Sequence, residues 1–204
     1  MLRENAEQRD LLMKAAIKIF AERGLDGTTI RAVAAEAKVN SALIYYYFDN
    51  KQNLFEESIK YIMRGFFERL AKNLKSFSSG KERLEYLVNC IFDYYCEFPE
   101  RMHLMSVMIV MHLELMRKIL RQFLRERSAL PLHIISEGIE ARQLKKINPL
   151  QAWWIILGTC MFTIKMRQVV DGKNVVMGNF AVPEIAESRR QILEILESGL
   201  VINK

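Results

Sequence analysis

The stretch "LLMKAAIKIFAERG" sets Leu12, Ala16, Ile19 and Phe20 three and four residues apart, and this spacing recurs along nearly all of the 204-residue chain. Side chains at that period share one face of an α-helix, whereas a half-buried strand alternates every second residue. No run of four or more residues alternates convincingly between turn signals. The chain therefore reads as all-α. Four prolines and nine glycines leave room for long helices, and no repeat of solenoid length is present. With 50 % of its residues hydrophobic, the chain can form one sizeable core or a small module attached to a larger one.

Punctuation divides the pattern. The first helix runs from Asn5 to "ERGLDG", where Gly24 suits a C-terminal cap. "TTIRAVAAEA" supplies a short second helix, with Thr28 or Thr29 as its N-cap and Ile30, Val33, Ala34 and Ala37 as its apolar face. "KVN" makes a tight corner, and Ser41 to Phe48 forms a third helix of barely two turns. From Lys51 the residues Leu54, Ile59, Ile62, Phe66, Phe67 and Leu70 carry a fourth helix to the loop "SFSSG". A helix follows to Pro99, another starts there and continues in register to Arg127, and Pro131 kinks or restarts it. Leu150 to Val170 is apolar on nearly every face, and Pro183 opens a last helix ending near Leu200.

Composition excludes several classes. Cys90, Cys96 and Cys160 are an odd, widely spaced set without a metal-ligand pattern, which suits reduced thiols and a cytoplasmic location. The charged start "MLRENAEQRD" has no secretory apolar region, and "AWWIILGTCMFTI" is too short to span a bilayer, so no membrane partner is expected. There is no phosphate loop, paired zinc-binding histidine motif or nucleophile elbow. The chain reads as a non-enzyme with no cofactor and no metal. Its net charge of +6 is not concentrated near the start: up to Lys51, the basic residues Arg3, Arg9, Lys14, Lys18, Arg23, Arg31, Lys38 and Lys51 nearly balance Glu4, Glu7, Asp10, Glu22, Asp26, Glu36 and Asp49.

The third helix, "SALIYYYF", carries the functional signal. At about 100° per residue, Ile44 and Phe48 point one way with Tyr47 at the edge, while Ala42, Leu43 and Tyr46 point the other, with Tyr45 on the flank. An outward face that is small, apolar and aromatic meets a partner rather than water. Three short helices with such a face on the third match the helix-turn-helix plan, in which that face enters the DNA major groove. Ala42 and Leu43 then touch thymine methyls, and Tyr46 stacks on or bonds a base edge. Tyr45, Tyr47, Lys51 and Thr28 or Thr29 face phosphates, and Arg31 reaches a guanine or a nearby phosphate. Tyr47 is equally open to a packing role.

Together, "LLMKAAIKIFAERG", "TTIRAVAAEA" and "VNSALIYYYFDNKQNL" resemble, over about the first 55 residues, the tetracycline-repressor (TetR) family of regulators. The resemblance implies a helix-turn-helix DNA-binding domain over residues 1–51 and a helical effector-binding and dimerisation domain over 52–204. It implies a homodimer on a palindromic double-stranded operator, most often a repressor, with a small-molecule effector of unknown identity that changes DNA affinity. Base and groove contacts carry over to Arg31, Ser41, Ala42, Leu43 and Tyr46, and phosphate contacts to Thr28 or Thr29, Tyr45, Tyr47 and Lys51. Two positions depart from the pattern: Lys38 replaces the usual corner glycine, and Leu43 the frequent threonine.

In that frame the last two helices dimerise, with Trp153, Ile156, Cys160, Ile192, Ile195, Leu196, Gly199 and Leu200 at the interface. A largely apolar effector site falls among Phe92, Tyr95, Met102, Met105, Met108, Met111, Trp154, Phe162 and Met166. The alternative is a helical small-molecule or protein-interaction module without specific DNA binding, which the near-neutral charge of the first helices keeps open.

Overall fold

The computed structural model describes residues 2–72, 76–126, 130–170 and 182–202. Among these residues there are ten α-helices and no strand: α1 Leu2–Gly27, α2 Ile30–Ala37, α3 Ser41–Tyr47, α4 Lys51–Lys72, α5 Gly80–Glu97, α6 Pro99–Met111, α7 Leu113–Glu126, α8 Leu130–Glu140, α9 Pro149–Val169 and α10 Ile185–Leu200. A single antiparallel bridge joins Leu144 to Val201. None of the described helices is long and apolar enough to cross a membrane.

By contacts the chain divides into two compact units. Met1–Gly65 with Phe98–Glu126 forms the first, and Phe66–Glu97 with Arg127–Lys204 the second. In the first unit α1 packs on α2 and α6, and α2 on α3. Its core is Leu12, Ala16, Ile19 and Phe20 of α1, Val33 of α2, Ile44 of α3, and Leu54 and Ile59 of α4, all buried. Phe20 meets Phe55 edge to face with centroids 5.0 Å apart, fixing α1 against α4. In the second unit α5 packs on α8, α9 and α10. There Phe66 lies beside Tyr95 and Trp153, 6.1 and 6.2 Å away, so the core is rich in aromatic rings.

The local reasons for these boundaries are visible. Gly24 takes φ 68° and ψ −179°, a region open in practice only to glycine, and kinks α1 there rather than capping it. Thr29, not Thr28, caps α2: its hydroxyl accepts the amide of Ala32 at 3.1 Å. Asn40 caps α3 by accepting from Ala42 at 2.9 Å, and Asn50 caps α4 by accepting from Asn53 at 2.9 Å. Phe48, expected as the last helical residue of α3, is extended and donates its amide to Ile44.

One expected helix is two. The helix begun at Pro99 stops at Met111, because His112 adopts φ −127° and ψ 48° and a new helix begins at Leu113. The His112 ring stands edge-on to Phe55 at 5.4 Å, a tertiary contact that helical spacing does not reveal. Arg127 lies outside the described residues.

Two buried arginines escaped the sequence pattern. In the second unit Arg83 is 6 % exposed and donates to Gln143 Oε1 at 2.8 Å, the Ile134 carbonyl at 3.0 Å and Glu137 Oε2 at 3.2 Å. It ties α5 to α8 and to the turn after it. In the first unit Arg101 lies over Phe98 and Tyr61, and Tyr61 donates to the carboxylate of Asp10, which also pairs with Lys14 at 2.6 Å. Burial raises the Asp10 pKa, but the bonds from Lys14 and Tyr61 and the charges of Lys14 and Arg101 outweigh it. The carboxyl is therefore held below its ordinary value of 3.8.

Candidate nucleic-acid interface

Helix α3 is anchored on one side and bare on the other. Ile44 and Phe48 are buried at 0 % and 1 %, whereas Tyr45 and Tyr46 are 57 % and 76 % exposed. Ala42 is exposed beside them, and Ser41 and Leu43 are half-buried. Tyr47 is half-buried too, its ring edge-on to Tyr46 at 5.1 Å and tilted against Phe48 at 6.2 Å. It joins the outward ring to the inward one, so both roles expected for it remain geometrically open.

The surroundings supply donors. Arg31 is exposed in the first turn of α2, and Thr29 is exposed at its cap. The Thr29 hydroxyl accepts from Ala32 and keeps its own proton for another acceptor. Thr28 requires a correction: it is 1 % exposed, and its hydroxyl donates to the carbonyls of Gly24 at 2.6 Å and Ile19 at 3.4 Å. It closes the end of α1 and is out of reach of a phosphate. Lys51 is half-buried and donates to the Asp26 carbonyl at 3.4 Å. The near-neutral charge of this region is largely spent internally, with Lys18 paired to Glu36 at 2.7 Å and Arg9 to Glu57 at 3.3 Å.

In the second unit the structure redistributes the expected interface and pocket residues. Ile156, Cys160, Ile192 and Leu196 are buried in the unit's own core, and Trp153 is half-buried against Phe66. Burial pushes the Cys160 thiol up to about 12. Trp154 and Phe162, expected to line a pocket, are instead 58 % and 69 % exposed, and Met166 is exposed as well. With Ile155, Gly158 and Thr159 they form one outward stripe on α9. On α10, Ile195 and Gly199 are exposed while Leu200 is half-buried. The sequence shows no polar side on α9, so which apolar stripe faced inward was not legible from it.

The remaining pocket candidates are divided between the units. Met102, Met105 and Met108 are buried in the first unit and Met111 is exposed there, whereas Phe92 and Tyr95 are buried in the second. Among the described residues no cluster of histidine, cysteine or carboxylate has the makings of a metal site.

A two-turn helix held by Ile44 and Phe48, capped by Asn40, and turned outward through an uncharged aromatic face defines a helix-turn-helix module. Residues 12–58 match the family described as bacterial regulatory proteins, tetR family. Over that segment the chain resembles that family. It is 37 % identical over 92 residues to the HTH-type transcriptional repressor NicS of Pseudomonas putida, a match spanning 45 % of this chain and 43 % of NicS, less than half that relative's length. The fatty acid metabolism regulator protein of Bacillus subtilis is 25 % identical over 195 residues, 93 % of each chain. The crystal structure of a transcriptional regulator FadR from Bacillus subtilis, in complex with stearoyl-CoA, superposes with a TM-score of 0.73 at 24 % identity over 94 % of this chain and 98 % of the other, and so shares its fold.

Proposed function

We propose that this protein is a ligand-responsive transcriptional repressor that binds a palindromic duplex site as a homodimer through α3 and is released by a largely apolar effector. The observation that carries this reading is the 76 % exposure of Tyr46 on a helix whose opposite side is wholly buried. Arg31, Ser41, Ala42, Leu43 and Tyr46 address the groove, and Thr29, Tyr45, Tyr47 and Lys51 address phosphates. Residues 1–51 do the reading, and the rest of the chain binds effector and partner.

The homodimer reading rests on the outward stripe of Trp154, Ile155, Gly158, Thr159 and Phe162 on α9, together with Ile195 and Gly199 on α10. A face this apolar is covered in a stable protein, and a two-fold axis lets it cover itself. For the effector, the relative that matches over 93 % of the chain is a fatty acid metabolism regulator, and a structural neighbour holds stearoyl-CoA. A long-chain acyl thioester is therefore the first effector to test.

The experiment is fluorescence anisotropy on duplexes from the DNA flanking the protein's own gene, at several salt concentrations, with and without stearoyl-CoA. Tight, steeply salt-dependent binding relieved by stearoyl-CoA is expected. Binding that stearoyl-CoA leaves untouched would remove the acyl effector and keep the regulator. No binding even at low salt would favour the interaction-module alternative, to which the internally paired charges of the first unit are the pointer.

A further inference from the structure

Lys38 stands at the elbow between α2 and α3 with φ 56° and ψ 41°, the left-handed region that a residue with a Cβ enters reluctantly. Its amide closes the end of α2 on Ala34 and Ala35, and its side chain is exposed two residues before Asn40, the cap of α3. Among the described residues the Lys38 ammonium makes no hydrogen bond or ion pair. Four other cations of the first 51 residues are committed within the first unit: Arg9 to Glu57, Lys14 to Asp10, Lys18 to Glu36, and Lys51 to the Asp26 carbonyl.

The outward face of α3, with Ser41, Ala42, Leu43, Tyr45 and Tyr46, carries no charge of its own. Duplex DNA presents about one negative charge per 1.7 Å of axis, so an uncharged face in its groove depends on cations at the rim. Among the described residues, two exposed cations of the α2–α3 pair have no hydrogen-bond or ion-pair partner, Arg31 in the first turn of α2 and Lys38 just past its last.

We propose that Lys38 contacts a DNA phosphate beside the amino end of α3 and fixes how that end seats in the groove. The proposal rests on the DNA-binding reading above. A phosphate contact positions the helix without reading sequence, so its loss weakens all duplexes alike. Arginine preserves such a contact, whereas glutamine keeps the backbone conformation and removes the charge.

The test compares the wild-type protein with Lys38→Gln, Lys38→Arg and Lys38→Gly on two probes: a duplex that the wild-type protein selects from a random pool, and an unrelated duplex of equal length. The log-affinity against log-salt slope is measured for each, with thermal midpoints alongside. Lys38→Gln is expected to flatten the slope by about 0.9 per protomer on both duplexes, and Lys38→Arg to restore it. Lys38→Gly should lose the slope like glutamine while raising the midpoint, which separates the contact from folding. An unchanged slope in Lys38→Gln, with binding by the wild-type protein intact, would overturn the assignment and leave Lys38 serving only the dipole of α2. If the wild-type protein binds neither duplex, the DNA-binding reading itself fails and the Lys38 contact with it.

Discussion

Ile44 and Tyr46 are two residues apart on α3, yet Ile44 is 0 % exposed and Tyr46 76 %. A rotation of about 200° separates their side chains, which divides one short helix into an anchor and a reading face. The two positions therefore answer to different assays. Tyr46→Ala is expected to weaken binding to the selected duplex roughly tenfold, the value of one lost base contact, and to leave the thermal midpoint unchanged. Ile44→Ala is expected to cost about 2–5 kcal/mol in urea unfolding, because it leaves a cavity between α3 and the rest of the first unit.

Relief of the left-handed backbone at Lys38 is a stability effect separable from DNA. Lys38→Gly should raise the unfolding free energy by about 0.5–1 kcal/mol, the conformational penalty less the extra entropy glycine loses on folding. The urea midpoint should rise at constant m-value.

Phe162 and Cys160 are neighbours on α9 with opposite environments, 69 % and 0 % exposed. With the proposed homodimer formed through this stripe, Phe162→Glu should give a folded monomer by light scattering and weaken binding to the selected duplex strongly, while circular dichroism stays helical. A Phe162→Glu protein that remains dimeric would move the interface elsewhere.

The thiols should report the same burial. Cys90 and Cys160 are buried and Cys96 is exposed, and burial raises all three thiols above their ordinary value, Cys160 to about 12. A disulfide reagent at pH 8 is expected to modify Cys96 alone in the native protein and all three cysteines after denaturation.

Asp10 gives a pH signature. Its folded pKa lies below the ordinary 3.8, so its contribution to stability is complete above that value and is lost as pH falls through the folded pKa. Asp10→Asn should be less stable than the wild-type protein at neutral pH, and the difference should vanish in strong acid. Urea unfolding at pH 7, 5 and 3 checks the trend.

Much of this protein was legible in its sequence because the determining physics is local. The spacing of Leu12, Ala16, Ile19 and Phe20 specifies a helix whatever packs on it, and the inward direction of Ile44 and Phe48 follows from rotation along α3. The same holds for "TTIRAVAAEA", although the adjacent hydroxyls of Thr28 and Thr29 are equivalent as letters. Only the kink at Gly24 turns one inward to bond the end of α1 and leaves the other as the cap.

What the tertiary structure alone decided are matters of partnership between distant residues. Helix α9 is apolar on nearly every side, so its periodicity selects no face. Packing against α5, α8 and α10 buries Ile156 and Cys160 and turns Trp154 and Phe162 outward. The Phe55 ring beside the break at His112, and the partners of Arg83, are likewise fixed by residues about 50 or more positions away. Sequence period sets which residues can share a face, and long-range packing sets which face is inside.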